Sequence, residues 1–249
     1  MPTVGVEFAK VSYTLADGRA LLRDISLQLE AGTTTALLGR SGSGKTTLLR
    51  TVNGLVTPAS GEVLVAGKAT RDYDTVALRR GIGYVIQETG LFPHMTVDRN
   101  AGMALELAGR SRQEIAARVR EVLALAGLEY EEFRARYPWQ LSGGQRQRVG
   151  LARALATDPM VLLMDEPFGA LDPLTRAEMQ TMLRGLLKQM GKTVLLVTHD
   201  LDEALYLASR VVFLDEGSVV ADLAADEVLR SDNPHVKGYV HAVHRAVLA

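Results

Sequence analysis

The sequence has 249 residues, 47% of them hydrophobic and 23% charged. These values are ordinary for a globular protein that buries a core without disulfide bonds or structural metal sites. It has no cysteine, which excludes disulfide bonds and thiolate metal sites. Its 28 basic and 29 acidic residues give no sign of a nucleic-acid-binding surface. The first residues lack the pattern of a signal peptide, and no apolar stretch approaches the about 18 residues that cross a bilayer. We therefore expect another chain to supply the channel if this protein moves a solute across a membrane.

Two segments near the N-terminus are predicted to contain β strands, at residues 4–29 and 61–65. Turn signals at Asp17-Gly18 and Ser60-Gly61 accompany them. We expect these segments to form an antiparallel lobe beside the main core.

Four later apolar runs are uninterrupted rather than alternating, which is typical of strands buried on both faces of a parallel sheet. They lie at residues 35–38, 161–164, 194–197 and 211–214. Helical patterns separate them. At residues 112–126, for example, the apolar side chains fall on one face of an amphipathic helix. This order of strands and helices predicts a doubly wound α/β core.

The organisation that we predict is one domain with lobes. Residues from about 97 to 137 look helical throughout, and Pro93 and Pro138 are candidate hinges at the two ends of this stretch. The predicted parts are an α/β core with its β lobe at residues 1–92 and 158–232, a helical lobe at 93–157, and a short helical tail at 233–249.

The segment GRSGSGKT follows the predicted strand TTALL and precedes a helical run. In this setting glycines let backbone N–H groups surround phosphate oxygens, and the helix N-terminus adds a favourable dipole. Lys45 is expected to reach the β- and γ-phosphates, and the Thr46 hydroxyl to bind Mg²⁺. A glycine turn with a chance lysine is the alternative. The nucleotide-binding residues predicted here are Gly39, Arg40, Ser41, Gly42, Ser43, Gly44, Lys45, Thr46 and Thr47.

Polar side chains end three other apolar runs: Asp165 and Glu166 after VLLM, Gln87 after GYVI, and His199 after TVLLVT. The carboxyl ends of such strands face the ligand crevice. We expect Asp165 to hold Mg²⁺ through water, and Glu166 to orient or deprotonate the attacking water. Gln87 can touch Mg²⁺ or water, and His199 can donate to the γ-phosphate. Each of the four also has a plain structural interpretation as a polar side chain at a strand end.

A second anion-binding element is predicted at LSGGQ, which precedes another helical run. Two chains that met head to tail would then grip each triphosphate from both sides, so the sequence predicts a nucleotide-sandwich dimer. The alternative is a simple helix cap formed by Ser142. The residues assigned to this element are Ser142, Gly143, Gly144 and Gln145.

Two further residues have open assignments. Tyr13 can stack on adenine or be an ordinary strand tyrosine. Asp172 can reach a partner chain or cap the next helix, with Pro173 in the first turn, and both roles are compatible.

These motifs, in this order, resemble the nucleotide-binding subunit of a bacterial ABC importer over essentially the whole chain. The resemblance implies an active ATPase that uses ATP and Mg²⁺. It also implies a RecA-like P-loop NTPase core with an antiparallel β lobe and an inserted α-helical lobe. Under it, Tyr13 matches the adenine-stacking aromatic, residues 39–46 the Walker A motif, Gln87 the Q-loop, residues 141–145 the signature, residues 161–166 the Walker B strand, residues 170–172 the D-loop, and His199 the switch histidine.

A narrower resemblance concerns residues 78–100, which are similar to the osmoprotectant importers of glycine betaine, choline or carnitine. In that family this segment links the Q-loop to the membrane subunit. Its apolar residues Leu91, Phe92 and Met95 are expected either to meet that partner or to pack against the helical lobe. Residues 99–101 depart from the Glu-Asn-Ile or Glu-Asn-Val of many relatives, which leaves the exact partner surface open.

The resemblance implies four features of the assembly: permease subunits in the membrane, a second copy of the ATPase, an indirectly coupled solute-binding protein, and a place on the cytoplasmic face of the membrane. It implies no nucleic-acid partner. We also expect no added C-terminal regulatory domain, since few residues follow Asn233. The alternatives are an importer for amino acids or another small polar solute, and a soluble ABC ATPase that acts on ribosomes or DNA. A purely regulatory ATP-binding module would be expected to lack Glu166.

Overall fold

The computed structural model describes residues 5–243, so Val4 of the first predicted strand segment and residues 244–249 of the predicted tail lie outside the described part. The chain forms two compact units. Unit 1 consists of the residues up to Leu78 together with those from Lys192 onward, and unit 2 is Arg79–Gly191. This division differs from the predicted lobe boundaries at residues 92, 157 and 232, which stay a prediction.

The secondary structure follows the predicted alternation of strands and helices. In chain order the strands are β1 (Val6–Thr14), β2 (Ala20–Leu29), β3 (Thr34–Leu38), β4 (Ser60–Val65), β5 (Lys68–Ala69), β6 (Ile82–Val85), β7 (Val161–Asp165), β8 (Thr193–Val197), β9 (Arg210–Asp215) and β10 (Ser218–Ala224). The helices are α1 (Lys45–Val52), α2 (Thr75–Arg80), α3 (Val97–Leu107), α4 (Arg112–Leu125), α5 (Tyr130–Phe133), α6 (Gly143–Leu155), α7 (Pro173–Met190), α8 (Leu201–Leu207) and α9 (Pro234–Val243). Short 3-10 turns occur at Thr70–Asp72, Pro138–Gln140 and Val228–Arg230.

The predicted antiparallel lobe is confirmed within unit 1. Its strand order is β2-β1-β4-β5, and Phe8 of β1 pairs with Leu27 on one side and Val63 on the other. The side chains of Phe8, Leu27 and Val63 are all buried, so one face of this sheet contributes to the core. The alternation of buried and exposed residues along β2 is what a half-buried strand requires.

Parallel strands in unit 1 bring two of the candidate residues to one edge. Strand β3 pairs in parallel with β8 and β9, and Leu37 lies opposite Val197. Within the predicted runs at residues 35–38 and 194–197 every residue of β3 and β8 is buried, as the uninterrupted apolar pattern predicts. Since β3 and β8 run in the same direction, the chain leaves both at the same edge, where Gly39 and His199 follow.

Unit 2 repeats this arrangement on another pair of strands. Strands β6 and β7 are parallel, with Val85 opposite Met164, so Gln87 and Asp165 also lie at one edge. Helices α3, α4 and α6 pack on one another beside them. Helix α4 buries Val119, Val122 and Leu123, and this confirms the predicted amphipathic face.

None of the helices in residues 5–243 is long and apolar enough to span a bilayer. The tail predicted after Asn233 forms helix α9 as far as Val243.

Candidate active site

The loop between β3 and α1 has a backbone that only glycine permits. A Cβ on Gly39 would lie 2.1 Å from the carbonyl oxygen of Leu214. Gly44 has a φ of +101°, and its Cβ would lie 2.6 Å from Leu22 Cδ2. The glycines therefore let the loop fold tightly against its neighbours and turn directly into α1, which begins at Lys45.

This loop encloses polar groups suited to a phosphate chain. Lys45 is buried, and its Nζ donates to the carbonyl oxygens of Gly39 at 2.7 Å and Arg40 at 2.9 Å. The Ser43 hydroxyl is also buried and finds no hydrogen-bond partner among the described residues. A buried hydroxyl without a partner is costly, so the loop is prepared for a polar ligand. Thr46 and Thr47 are half-buried on the first turn of α1, while Arg40, Ser41 and Gly42 are exposed.

His199 lies at the same edge of unit 1. Strand β8 ends at Val197, two residues before the histidine, so His199 belongs to the following turn and is exposed. Thr198 before it is buried and donates its backbone N–H to the Leu37 carbonyl at 3.2 Å. Asp200 after it caps α8. The His199 carbonyl accepts a hydrogen bond of 2.7 Å from the hydroxyl of Tyr239, a residue that sequence reasoning missed.

In unit 2 the structure brings two of the predicted catalytic residues together. Gln87 Nε2 donates to Glu166 Oε2 at 3.1 Å. Strand β6 ends at Val85, two residues earlier than the sequence suggests, which places Gln87 in the turn. Glu166 directly follows β7 and has a φ of +46°, a backbone conformation that is rare for a residue with a Cβ. Such a strained residue at a strand end is typical of functional sites.

Asp165 has a hydrogen-bond partner that was not predicted from the sequence. It is the last residue of β7, only 3% exposed, and its Oδ2 accepts a hydrogen bond of 3.3 Å from the Tyr84 hydroxyl. The one signal for Tyr84 is a tyrosine within an otherwise apolar strand, since a phenol in such a strand usually finds a hydrogen-bond partner.

The turn after Gln87 is held from helix α6. Arg153 donates from its two terminal nitrogens to the carbonyl oxygens of Thr89 at 2.6 Å and Gly90 at 2.7 Å. Burial lowers the pKa of the Arg153 guanidinium from its usual value. Thr89 has a φ of +58°, so the arginine fixes a strained part of the turn. Arg153 was not among the predicted site residues.

The segment that follows carries the three apolar residues predicted to meet a partner. Phe92 is 39% exposed, whereas Leu91 and Met95 are half-buried. Asn100 is fully buried and bonds to both backbone groups of Phe92 and to the Met95 carbonyl, at 2.8 to 3.1 Å. A further bond of 3.1 Å joins it to the Thr96 carbonyl. One asparagine therefore shapes the turn that exposes Phe92.

The signature residues form the start of helix α6. Ser142 Oγ accepts from the Gln145 N–H at 3.2 Å, and Gln145 Oε1 accepts from the Ser142 N–H at 2.9 Å. This is a capping box, so the helix-cap interpretation of Ser142 is confirmed. The helix already begins at Gly143, within the LSGGQ segment that was predicted to precede it. Ser142 is exposed, and its phosphate contact stays a prediction.

Asp172 and Tyr13 are the two residues for which the sequence leaves two roles open. Asp172 caps helix α7 by accepting from the Thr175 N–H at 3.1 Å. Hydrogen bonds from the Thr175 side chain and then from its backbone lower the pKa of the Asp172 carboxyl group. Tyr13 is half-buried in β1, opposite Leu22. The reach of Asp172 to a partner chain and the stacking of Tyr13 on adenine stay predictions.

Comparison with known proteins identifies the family. Residues 22–169 match the ABC transporter family. The chain is 49% identical to the glycine betaine uptake system ATP-binding protein YehX of Escherichia coli, over 86% of this chain and 69% of that protein. It is 42% identical to the carnitine transport ATP-binding protein OpuCA of Listeria monocytogenes, over 94% of this chain but only 59% of that protein.

Solved structures agree with this result. The dimeric ATP-binding cassette MJ0796, bound to ADP and Pi in a post-hydrolysis state, matches with a TM-score of 0.79 and 36% identity, over 88% of this chain and 98% of that one. The P-loop NTPase fold predicted from the sequence is therefore confirmed. This chain belongs to the ABC transporter family, and it carries that family's ATP-binding cassette.

Proposed function

We propose that this chain hydrolyses ATP to power the uptake of a quaternary-amine osmoprotectant, such as glycine betaine, choline or carnitine, through a separate permease. The observation that carries ATP hydrolysis is Glu166, a carboxylate fixed at the end of a buried strand by the hydrogen bond from Gln87. The solute class rests on the glycine betaine and carnitine systems to which the similar proteins belong.

The phosphate chain of ATP would occupy the loop of unit 1. Lys45 would exchange its two loop carbonyls for the β- and γ-phosphate oxygens, which offer its ammonium group stronger, charged acceptors. The Ser43 hydroxyl would gain the partner that it lacks among the described residues. His199, at the same edge, would donate from its imidazole to the γ-phosphate.

The carboxylates of unit 2 would act on the water and on the metal. Glu166 accepts a proton from the attacking water, or orients it, while Gln87 holds the carboxylate in place. When bound, Mg²⁺ neutralises charge on the β- and γ-phosphates. Thr46, Gln87 and Asp165 offer the oxygen donors that this ion prefers, and the Tyr84 hydroxyl orients the Asp165 carboxylate.

Three exposed residues, Ser142, Asp172 and Phe92, would contact other protein chains. Ser142 at the exposed start of α6 would meet the triphosphate bound by a second copy of the chain, and Asp172 would lie at the same dimer contact. Phe92, shaped by Asn100, would dock on the permease. The chain would thus work as a dimer on the cytoplasmic face of the membrane, with the solute-binding protein reached only through the permease.

Uptake in cells tests both halves of this proposal. We expect deletion of the gene to reduce uptake of labelled betaine, choline or carnitine, most clearly at high external osmolarity. The wild-type gene and a Glu178→Gln variant should restore uptake, because Glu178 is an exposed residue of α7. Glu166→Gln, which makes the same charge change at the proposed base, should not. Intact osmoprotectant uptake with loss of amino-acid uptake would refute the solute class. Full rescue by Glu166→Gln would refute the catalytic assignment.

A further inference from the structure

The turn that carries His199 is fixed on both sides of the histidine. Thr198 is tied to β3 through the Leu37 carbonyl, and its Oγ1 accepts from the Asp200 N–H at 3.0 Å. Asp200 in turn accepts from the Glu203 N–H at 3.1 Å and starts α8. Between these anchors, the carbonyl of His199 is held by the Tyr239 hydroxyl at 2.7 Å. This contact joins helix α9 to the histidine across 40 positions of sequence.

Tyr239 is itself set by the core of unit 1. Its ring meets the ring of Phe213 on β9 edge to face, with centroids 5.7 Å apart and planes at 76°. Phe213 is only 2% exposed, and Val236, one turn earlier on α9, is fully buried in the same cluster. The start of the helix is anchored as well, since Asn233 Nδ2 donates to the Val220 carbonyl at 2.9 Å. The ring that carries the hydroxyl is therefore held in place by packing against the core of unit 1.

The contact lies beside the phosphate-binding loop. His199 and Tyr239 line a cavity of about 470 Å³, together with Gly39 and Arg40 at the start of that loop. Removal of the hydroxyl would take this hydrogen bond from the His199 carbonyl and let the turn, and with it the imidazole, adopt other orientations.

We infer that Tyr239 is a positioning residue for His199, so that helix α9 controls how the imidazole is presented to the γ-phosphate. This inference rests on the proposed ATP hydrolysis. Tyr239 would act through the backbone of the histidine and not directly on the γ-phosphate. A loss of orientation should lower kcat and leave ATP affinity nearly unchanged, because the carbonyls that hold Lys45 belong to Gly39 and Arg40 and not to the tyrosine.

A matched pair of variants isolates the hydroxyl. Tyr239→Phe removes one hydroxyl that donates to a backbone carbonyl, and Tyr73→Phe removes another in the same unit, at 2.8 Å from the Val65 carbonyl and outside the candidate site. We expect Tyr239→Phe to lower kcat about three- to tenfold, the worth of one hydrogen bond, with little change in KM for ATP. Tyr73→Phe should leave kcat unchanged. Equal kcat values for wild type and Tyr239→Phe would overturn the inference.

A double-variant comparison shows whether the effect runs through His199. In a His199→Ala background, Tyr239→Phe should cost nothing further, since the positioned side chain is already gone. An additional loss of the same size there would mean that Tyr239 acts independently of His199, and this would also overturn the inference.

A measurement without ATP turnover separates this inference from the proposed function. The chain has five histidines, so the imidazole NMR signal of His199 can be assigned by its loss in His199→Ala. Tyr239→Phe should shift or broaden that signal, while Tyr73→Phe should leave it in place. A wild-type chain without ATPase activity would refute the proposed function alone. An unchanged His199 signal in Tyr239→Phe would refute the positioning role alone.

Discussion

Lys45 of unit 1 and Glu166 of unit 2 are held in place by different means. In unit 1, Lys45 bonds to carbonyls of its own loop, five and six positions away in sequence. In unit 2, Glu166 is held by Gln87 across 79 positions, and the turn after Gln87 is held by Arg153 across 63 and 64 positions. The phosphate loop is therefore a local structure, whereas the glutamate and the glutamine depend on how a helix packs against two strands.

This difference indicates which half can respond to partners. A loop whose lysine is held by the loop's own carbonyls depends less on hydrogen bonds from distant residues. A turn held by an arginine on α6, the helix that begins at the signature residues, can transmit movement of that helix to Gln87. If this difference between the two units holds, substitutions in the phosphate-binding loop of unit 1 should affect ATP binding and hydrolysis directly. Substitutions of the residues that hold the turn after Gln87 in unit 2 should affect the stability of the fold and the coupling of ATP hydrolysis to a partner.

The largest effect is expected at the proposed base. Glu166→Gln should lower ATP hydrolysis about 10²–10⁴-fold, the usual contribution of a general base, while both phosphate-binding elements stay intact. ATP then remains bound, so the variant should accumulate as a dimer with Mg-ATP. Light scattering or sedimentation measures the mass. A variant that stays monomeric well above its nucleotide affinity would contradict the sandwich arrangement.

The serine caps supply the control for that dimer. In the Glu166→Gln background, Ser142→Arg should prevent dimer formation, because a bulky cation would fill the second phosphate site. Ser111→Arg breaks an equivalent capping box at the start of α4 and should leave the dimer intact. Equal behaviour of the two variants would show that only helix capping is lost.

The next largest effect is expected in the phosphate-binding loop of unit 1. Lys45→Ala should lower ATP hydrolysis about 10²–10³-fold, since a preorganised charge on the transferred phosphoryl group is lost. Lys68→Ala removes an exposed lysine of the same unit and should have no such effect. ATPase assays and circular dichroism on both proteins separate lost chemistry from lost folding. Near-normal hydrolysis by Lys45→Ala would remove the central assignment of the loop.

A smaller effect, on stability, is expected for the support of the Q-loop turn. Arg153→Met leaves the carbonyls of Thr89 and Gly90 without their donor and should cost about 1–3 kcal/mol of unfolding free energy. Arg153→Lys keeps the charge but not the two-pronged geometry, so it should lie between wild type and Arg153→Met. Arg112→Met changes an exposed residue and serves as control. Denaturant melts measure the difference, and equal midpoints for all variants would show that the contact is dispensable.

The same difference explains what could be predicted from the sequence. The strands, the helix α4 and the phosphate loop are encoded locally, by apolar runs, periodicity and glycine spacing. Gln87, Asp165, Glu166 and His199 were predicted as site residues because each stands at the end of an apolar run or just after it. The segments that flank a motif and the ends of apolar runs can both be recognised in a single sequence.

The supporting residues were missed because their partners are distant in sequence. Tyr84 meets Asp165 across 81 positions, and Tyr239 meets His199 across 40. Each looks like an ordinary tyrosine in a strand or a helix until tertiary packing brings the partner near. The compact units were also not predicted, since composition marks no boundary at Leu78 or Lys192. Pairings of this kind follow from the fold and not from local propensity.

The smallest effect on the isolated chain is expected at Phe92, the most exposed of the three apolar residues that follow the Q-loop turn. Phe92→Ala should change basal ATPase activity by about twofold or less, as exposed side chains usually do. With the permease, however, it should weaken assembly or the solute-stimulated activity, because the apolar contact is lost. Asn100→Ala should reproduce this uncoupling although Phe92 is still present, since Asn100 holds both backbone groups of Phe92 in place. Leu107→Ala is the control, because Leu107 is 73% exposed at the far end of α3. ATPase assays on the free chain and on the reconstituted complex give both activities. If Phe92→Ala lowers basal and stimulated activity equally, Phe92 serves folding or hydrolysis, and coupling must run through another surface of the chain.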